Sequence, residues 1–98
     1  MRFVFEWDEN KSKNNAKKHG FAFNEILEVF SDPYLTEIYD IDHSIEGENR
    51  YKCLGRLGGL LIILVVISDD NGMRRILSAR KATTKERTWY YETIKGKT

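Results

Sequence analysis

The feature that most constrains the fold is an unbroken apolar run from Leu60 to Ile67, set between two turns that contain glycine. Gly58-Gly59 precedes the run, and Asp69-Asp70-Asn71-Gly72 follows it after one serine. The run is too short to cross a bilayer as a helix, which takes about 20 residues. Continuous Leu, Ile and Val is typical of a strand buried on both faces. The sequence therefore predicts a central strand with a hairpin turn at each end, the second of type I′.

Two helices are predicted before this strand. Asp8 is a good N-cap for a helix from about Glu9 to His19, and Gly20 is a natural residue to end it. Only Ala16 is apolar within that helix, so it has little core to bury. A role facing a ligand or partner would explain this, and so would simple exposure. Apolar residues at helical spacing predict an amphipathic second helix, namely Phe23, Ile26, Leu27 and Phe30.

The whole chain is predicted to form one α+β domain over residues 1–98, because 98 residues leave room for one hydrophobic core. A last helix begins at a capping box made by Thr83 and Glu86. The predicted order is β-α-α-β-β-β-β-α, with an antiparallel sheet and helices packed against it. The predicted strands are Phe3–Phe5, Tyr34–Tyr39, Arg50–Leu57, Leu60–Ser68 and Met73–Ala79.

Charge is unevenly distributed although the net charge is only +1. Acidic residues dominate 21–70, whereas bases dominate 71–98 and crowd the segment from Lys11 to His19. The chain can therefore present a basic face suited to nucleic acid where its ends meet, although a mixed solvated surface is the simpler explanation of the counts alone. The single cysteine excludes an intramolecular disulfide, and no signal peptide is recognised at the N-terminus. We expect a soluble, cytoplasmic protein.

The first predicted helix carries one candidate group for catalysis. Lys11, Asn15 and His19 follow one another at intervals of four residues and share a face, with Lys18 beside them. His19 lies in the last turn, where the helix dipole favours its protonated form. A histidine there can donate a proton to a leaving oxygen or accept one from a hydroxyl. The alternative is a histidine that only caps the helix.

The strands carry the other candidates. Alternation places Glu48, Arg50 and Lys52 on one face, where Glu48 and Arg50 form either a surface ion pair or a base beside a phosphate clamp. Arg80 ends the last strand next to a helix N-terminus, which favours phosphate binding, although a charge can also simply terminate a strand edge. Alternation places Arg80 on the face of Arg74, Ile76 and Ser78.

Short stretches in order along the chain carry a family resemblance. They are Phe5-Glu6-Trp7-Asp8, Asn15 with Lys18-His19-Gly20, Gly47-Glu48-Asn49-Arg50, and Ile76 to Ala82 with Glu86-Arg87. Together they resemble the BrnT family, the ribonuclease toxins of bacterial type II toxin–antitoxin pairs, over essentially the whole chain. The resemblance implies a compact fold similar to that of RelE-like toxins, and an RNA-cleaving activity that inhibits translation.

The same resemblance implies a site and partners. We expect metal-free cleavage, with no cofactor and no metal ligand. The partners implied are RNA and an antitoxin similar to BrnA; a homodimer within the toxin–antitoxin complex is one arrangement this allows, and no membrane is involved. The expected catalytic residues are Lys18, His19, Glu48, Arg50 and Arg80, and the expected RNA-binding residues are Lys11, Lys52, Arg75 and Lys81.

The competing hypothesis is a module that binds RNA or protein without catalysis, or a decayed toxin. An enzyme needs His19, Glu48 and the arginines around one cleft, whereas a binding module can spread them over its surface.

Overall fold

Residues 4–96, which the structure describes, form a five-stranded sheet with helices on both of its faces. The structure is a computed structural model. Its elements in chain order are β1 (Val4–Glu6), α1 (Glu9–His19), a 3₁₀ helix (Phe23–Ser31), β2 (Thr36–Tyr39), β3 (Asn49–Leu57), β4 (Leu61–Asp70), β5 (Met73–Lys81) and α2 (Thr84–Gly96). This confirms the predicted α+β fold and element order; the predicted strand residue Phe3 lies outside the described residues.

The apolar run forms β4, the middle strand of the order β1-β5-β4-β3-β2. Its side chains alternate between two buried clusters, so the prediction of burial on both faces is confirmed. Ile63, Val65 and Ile67 belong to a cluster with the 3₁₀ helix, on what we call the α1 face. Ile62 and Leu64 belong to a cluster with Tyr90 of α2, on what we call the α2 face.

The sheet is mixed, which corrects the prediction of an antiparallel sheet. β2, β3, β4 and β5 pair antiparallel, but β1 pairs parallel with β5. Tight turns join β3 to β4 and β4 to β5, and such turns require antiparallel pairing. No turn joins β1 to β5. The chain instead leaves β1 through α1 and the 3₁₀ helix and enters the sheet again at the opposite edge, as β2.

The second predicted helix is a 3₁₀ helix rather than an α-helix. Its fully buried residues are Phe23, Ile26 and Val29, which follow the three-residue repeat of that helix type. Val29 lies so close to β3 that a Cβ on Gly55 would be 2.6 Å from Val29 Cγ1. The sequence pattern missed this geometry because apolar spacings of three and four residues overlap over so short a segment.

Polar side chains hold the polar helix α1 against the sheet. Asn15 is buried; its Nδ2 donates to the carbonyl oxygens of Phe21 and Ala79, each at 2.8 Å, and its Oδ1 accepts from Ala79 N. The buried Ser12 Oγ accepts from Phe23 N at 2.8 Å. Asn15 therefore faces the sheet and does not share an exposed face with Lys11, as the helical spacing had suggested. Specific hydrogen bonds replace the missing apolar stripe.

The predicted helix ends are confirmed. The Asp8 carboxylate accepts from two backbone amides in the first turn of α1, and Gly20 ends the helix with a φ of +86°. At α2, Glu86 Oε1 accepts from Thr83 N at 2.8 Å while Thr83 Oγ1 accepts from Glu86 N at 3.2 Å. The turn before β5 has a φ of 51° at Asn71 and 90° at Gly72, the positive signs that type I′ requires.

A bulge in β5 changes the faces predicted for its residues. Ile67 pairs with Ile76 but Val66 pairs with Ser78, so Leu77 is an extra residue. Ile76 and Ala79 therefore both enter the core of the α1 face. Arg80 pairs with Leu64 and lies on the α2 face, so the prediction that it shares the face of Ile76 is wrong.

Candidate active site

An open cleft of about 480 Å³ lies at one end of the α2 face, where β3 and β5 begin. At this end the α2 face is polar, whereas further along the sheet α2 covers an apolar cluster. The cleft brings together residues from β1, α1, β3, β4 and β5 and from the loop before β3. Its lining is Glu6, Lys11, Gly47, Glu48, Arg50, Ser68, Asp70, Met73, Arg75 and Leu77.

Its floor is a row of side chains across neighbouring strands, which we call the charged row: Glu6, Arg75, Ser68 and Arg50. Glu6 pairs with Arg75, Arg75 with Ser68, and Ser68 with Arg50. Residues directly paired across strands project from the same face, and neighbouring strands are about 4.7–4.9 Å apart. Strand register therefore brings two arginines to either side of one serine.

Each arginine of the charged row is bonded to a carboxylate. Arg50 Nε donates to Glu48 Oε1 at 3.0 Å, and Arg75 Nη1 to Glu6 Oε1 at 3.3 Å. The side chains of these pairs are 36% and 37% exposed for Arg50 and Glu48, and 42% and 47% for Arg75 and Glu6. Ion pairs so open to water stabilise by only about 0–1 kcal/mol, so an anionic ligand can replace either carboxylate at small cost.

The loop before β3 holds the backbone of Arg50 in place. Arg50 N donates to Ser44 Oγ at 2.9 Å, and Asp40 N donates to Arg50 O at 2.8 Å. Ser44 Oγ in turn donates to Asp40 O, and His43 Nδ1 lies 2.9 Å from Asp40 Oδ2. The hydrogen bond with His43 lowers the pKa of Asp40. These hydrogen bonds fix the backbone from which the side chains of Glu48 and Arg50 project, although the segment before β3 is a loop.

Cations and carboxylates are equally numerous in the lining of the cleft. They are Lys11, Arg50 and Arg75 on one side, and Glu6, Glu48 and Asp70 on the other. The cleft is therefore not a uniformly basic trough. It offers cationic donors for phosphate together with a carboxylate able to accept a proton.

The structure separates part of the predicted catalytic set from this cleft. Lys11 lines the cleft from the start of α1, but Lys18 and His19 lie about two helical turns further on, roughly 10 Å along the axis. His19 is half-buried, and its side chain makes no hydrogen bond to residues 4–96. These two residues do not line the cleft with Glu48 and Arg50.

Arg80 lies on the α2 face, but it does not line the cleft, and its guanidinium is bonded to a residue of α2. Its Nη1 and Nη2 donate to the two carboxylate oxygens of Glu86 at 2.8 and 3.0 Å. This pairing raises the pKa of Arg80 and lowers that of Glu86. Since Glu86 also caps α2, Arg80 joins the end of β5 to the helix start. Among the expected RNA-binding residues, Lys52 pairs with Val66 on the α2 face, and the exposed Lys81 pairs with Ile63 on the α1 face.

Within residues 4–96, no three His, Cys, Asp or Glu side chains form a group that could hold a metal ion. No helix in this described part is long and apolar enough to span a membrane. Cys53 is fully buried, and burial together with the nearby Glu37 raises the pKa of its thiol to about 12. Its thiolate is therefore not available for chemistry near neutral pH.

Comparison with known proteins decides the family. Residues 7–86 match the model of a family described as the ribonuclease toxin, BrnT, of type II toxin–antitoxin systems. The chain belongs to the BrnT family. It is also similar to the crystal structure of the ribonuclease toxin BrnT from Brucella abortus, with 26% identity, a TM-score of 0.60, and coverage of 86% of this chain and 99% of that one. No curated protein matches the sequence.

As a member of the BrnT family, the protein is a ribonuclease toxin of a type II toxin–antitoxin system, with RNA as target and an antitoxin as partner. The matched stretch contains every predicted site residue. Six residues of the cleft lining were not among the predicted site residues: Glu6, Gly47, Ser68, Asp70, Met73 and Leu77. Ser68 had a usable signal, because it interrupts apolar character inside the central strand. Glu6 lies in a stretch that carries the family resemblance, but only strand pairing places it beside Arg75. Asp70 had no signal.

Proposed function

We propose that this toxin cleaves RNA without a metal ion in the cleft of the charged row, and thereby stops translation. The observation that carries the proposal is the meeting of Arg50, Arg75 and Lys11 with the carboxylate of Glu48 in one cleft. These residues supply positive donors for a phosphate and a proton acceptor within one space, which is what a metal-free transfer to a neighbouring hydroxyl requires.

In the proposed reaction, Glu48 accepts the proton of a ribose 2′-hydroxyl. The freed oxygen attacks the adjacent phosphorus, the bond from phosphorus to the 5′-oxygen breaks, and a 2′,3′-cyclic phosphate and a 5′-hydroxyl result. Arg50 and Arg75 bind the phosphate oxygens, whose negative charge rises in the transition state. Proton transfer to or from a positioned side chain contributes about 10²–10⁴-fold.

The leaving 5′-oxygen needs a proton, and His19, which the sequence offers as either a proton donor or a proton acceptor, is the first candidate for this donor. In that proposal Lys18 and Arg80 add positive charge around the phosphate, and Lys52 and Lys81 bind the RNA on either side. Because His19 lies at the far end of α1, bound RNA would have to extend beyond the cleft to reach it. Lys11 already lines the cleft, so it is the second candidate for the donor.

The partner that we propose is an antitoxin similar to BrnA, which inhibits cleavage by laying an acidic segment over Arg50 and Arg75. The complex contains a toxin homodimer in this proposal and forms in the cytoplasm. Arg50→Glu is expected to weaken antitoxin binding in titration calorimetry, and light scattering of the complex gives its stoichiometry. Unchanged antitoxin affinity would contradict the proposed docking position.

A non-catalytic binding module is the second candidate, and one observation favours it. His19 and Lys18 lie apart from the cleft, and Arg80 is bonded to Glu86. Charged residues spread over the surface in this way suit a module that binds RNA or protein without catalysis. Family membership favours the ribonuclease.

The test is cleavage of RNA by purified protein in the presence of EDTA. Arg50→Ala is expected to lower the rate about 10²–10³-fold, the usual loss for one transition-state donor. Lys85→Ala, which removes an exposed charge on α2, is the matched control and is expected to cleave normally. Wild-type activity that disappears in EDTA and returns with Mg²⁺ would contradict the metal-free mechanism. Binding of RNA without any cleavage would favour the second candidate.

Single substitutions then assign the remaining roles. If His19 is the acid, His19→Ala removes the basic limb of the pH–rate profile; if Lys11 is the acid, Lys11→Ala does so instead. Arg80→Ala should be scored for growth arrest together with its thermal unfolding temperature, because loss of the bond to Glu86 also weakens the start of α2. A cleavage rate unchanged in both the His19 and Arg80 variants, with the fold intact, would exclude them from catalysis.

A further inference from the structure

We propose that the Ser68 hydroxyl binds the scissile phosphate, as a third donor between Arg50 and Arg75. The proposal rests on the proposed function, since it assigns a further substrate contact within the same cleft. Ser68 is a residue that neither the sequence motifs nor the charge pattern identifies.

Ser68 occupies an unusual position in its strand. β4 continues to Asp70, so the change from apolar to polar at Ser68 occurs inside the strand rather than at its end. On the α2 face, Ser68 follows Leu64 and Val66, which pack against the core beneath α2. A β-branched apolar residue would favour the strand more strongly at this position. The serine therefore stands where the α2 face stops being core and becomes the floor of the cleft.

Strand register puts Ser68 at the centre of the charged row. It is the direct partner of Arg50 on one side and of Arg75 on the other. Each antiparallel partner is about 4.5–5.5 Å away at Cα, so the two arginine Cα atoms are about 10 Å apart with the serine midway. The long side chains of Arg50 and Arg75 project on either side of the short side chain of Ser68. The space that this leaves over Ser68 is the middle of the cleft.

The Ser68 hydroxyl is available to a ligand. It makes no hydrogen bond to any residue of the described part, and it lines the open cleft. Ser12 Oγ accepts from Phe23 N and Ser44 Oγ bonds to both Asp40 O and Arg50 N, whereas the half-buried Ser78, outside the cleft lining, also makes no side-chain hydrogen bond to the described residues. Ser68 is therefore not needed to satisfy the backbone around it.

The chemistry of a phosphate suits this arrangement. Arg50 and Arg75 approach a phosphate from opposite sides, and the hydroxyl donates from below to one non-bridging oxygen. A neutral donor adds a hydrogen bond without another charge, and its small side chain leaves room for the phosphate. As the non-bridging oxygens gain charge in the transition state, this hydrogen bond strengthens and accelerates the reaction.

The experiment compares Ser68→Ala with Ser78→Ala in single-turnover cleavage of a short RNA. Ser78 is the matched control, because it is a half-buried serine on the same face, paired with Val66 outside the charged row. Ser68→Ala is expected to lower kcat about 10²-fold with a smaller change in KM, the loss typical of one transition-state donor. Ser68→Thr keeps the hydroxyl and is expected to recover most of the rate. Circular dichroism and thermal unfolding check that each variant is folded.

A phosphorothioate substrate gives a readout that a purely structural role would not alter. Sulfur accepts a hydrogen bond poorly, so wild type should cleave the diastereomer that presents sulfur to Ser68 more slowly than the other diastereomer. In Ser68→Ala this discrimination should fall, because the variant makes no hydrogen bond to that atom. Discrimination equal to that of wild type would overturn the proposal.

The role of Ser68 and the location of the active site can be disproved separately. If Arg50→Ala and Arg75→Ala lose cleavage while Ser68→Ala matches Ser78→Ala, Ser68 does not bind the phosphate and the proposed cleft stands. If wild type cleaves and neither arginine substitution slows it, the cleft is not the active site and the role of Ser68 falls with it. If wild type cleaves no RNA, both proposals are overturned.

Discussion

The two faces of the sheet differ in how far they are covered. The α1 face carries a continuous cluster in which the 3₁₀ helix contributes Phe23, Ile26 and Val29. The α2 face is apolar only beneath α2 and is charged and open at its other end. β4 serves both faces, because its successive side chains point to opposite sides. One face is thus covered by the core, while the other is left open at the end that holds the cleft.

Adjacent arginines in β5 show the same contrast. Arg74 points to the α1 face, is only 5% exposed, and donates to Glu37 at 2.6 and 3.2 Å and to Asp69 at 3.0 Å. Burial alone would lower the pKa of Arg74, but the bonds with Glu37 outweigh it and raise the pKa. Arg75 points to the cleft, and within residues 4–96 its side chain is bonded to Glu6 alone. A buried arginine bonded to two carboxylates stabilises the fold, whereas an exposed arginine bonded to a single carboxylate can bind substrate.

The largest expected effect tests this pair of arginines. Arg74→Ala should lower the free energy of unfolding by about 3–5 kcal/mol, since it leaves two partly buried carboxylates without their cation. Arg75→Ala should change it by less than about 1 kcal/mol, because its ion pair is exposed, and should nevertheless abolish most RNA cleavage. Urea unfolding and cleavage assays on both variants measure this. Equal stability losses would break the distinction between the two faces.

A second prediction concerns the closed end of the α2 face, where Tyr90 donates to Asp32. Burial alone would raise the pKa of Asp32, but hydrogen bonds from Tyr90 and from the backbone amides of Tyr34 and Arg56 lower it. Tyr90→Phe should therefore cost about 1.5–3 kcal/mol at neutral pH, the usual range for a hydrogen bond to a charged group. Tyr91→Phe is the control, since Tyr91 is exposed and its hydroxyl makes no bond to the described residues.

The sign of the pH dependence follows from the lowered pKa of Asp32. A carboxyl whose folded pKa is depressed adds stability above its unfolded pKa, about 3.9, and this stability is lost as the pH falls through the folded value. The difference between wild type and Tyr90→Phe should therefore be full at neutral pH and shrink below about pH 4. Thermal unfolding from pH 7 to pH 3 measures it. A difference independent of pH would mean that the carboxylate charge is not involved.

The smallest expected effect concerns RNA affinity at the open, charged end of the α2 face. Glu6→Gln weakens the ion pair with Arg75, so RNA no longer competes with a carboxylate. Because an exposed pair stabilises by about 0–1 kcal/mol, affinity for a non-cleavable RNA should rise by at most about fivefold, and less in high salt. Glu92→Gln on α2 changes the charge equally, away from the cleft lining, and should leave the affinity unchanged. Weaker binding by Glu6→Gln would show that Glu6 itself contacts the RNA.

Local features were predictable because they depend on neighbouring residues. The continuous apolar run specified β4, Asp8 and Gly20 specified the ends of α1, and Thr83 with Glu86 specified the start of α2. In each case the signal is a hydrogen bond or a burial pattern within a few residues of chain. The type of the second helix was not predictable, since its repeat is decided by the close approach of Val29 to Gly55.

The candidate site was predictable only in part. The two-residue spacing of Glu48 and Arg50 indicated that their side chains lie close together, and their ion pair is present although Glu48 lies just before β3. The separation of His19 from them was not, because it depends on where α1 crosses the sheet. The bulge at Leu77 also reversed the face expected for Arg80, and no local pattern indicated it.

The sequence by itself therefore determined the elements, their order, the double burial of β4 and the family of the chain, since these are written in short-range patterns and motifs. Only the tertiary structure decided the parallel β1, the bulge and the charged row. Glu6 and Arg75 are separated by 69 positions in the chain and become neighbours through strand pairing alone. Register between distant strands depends on how the whole core packs, and it is this register that brings two arginines and a serine together in one cleft.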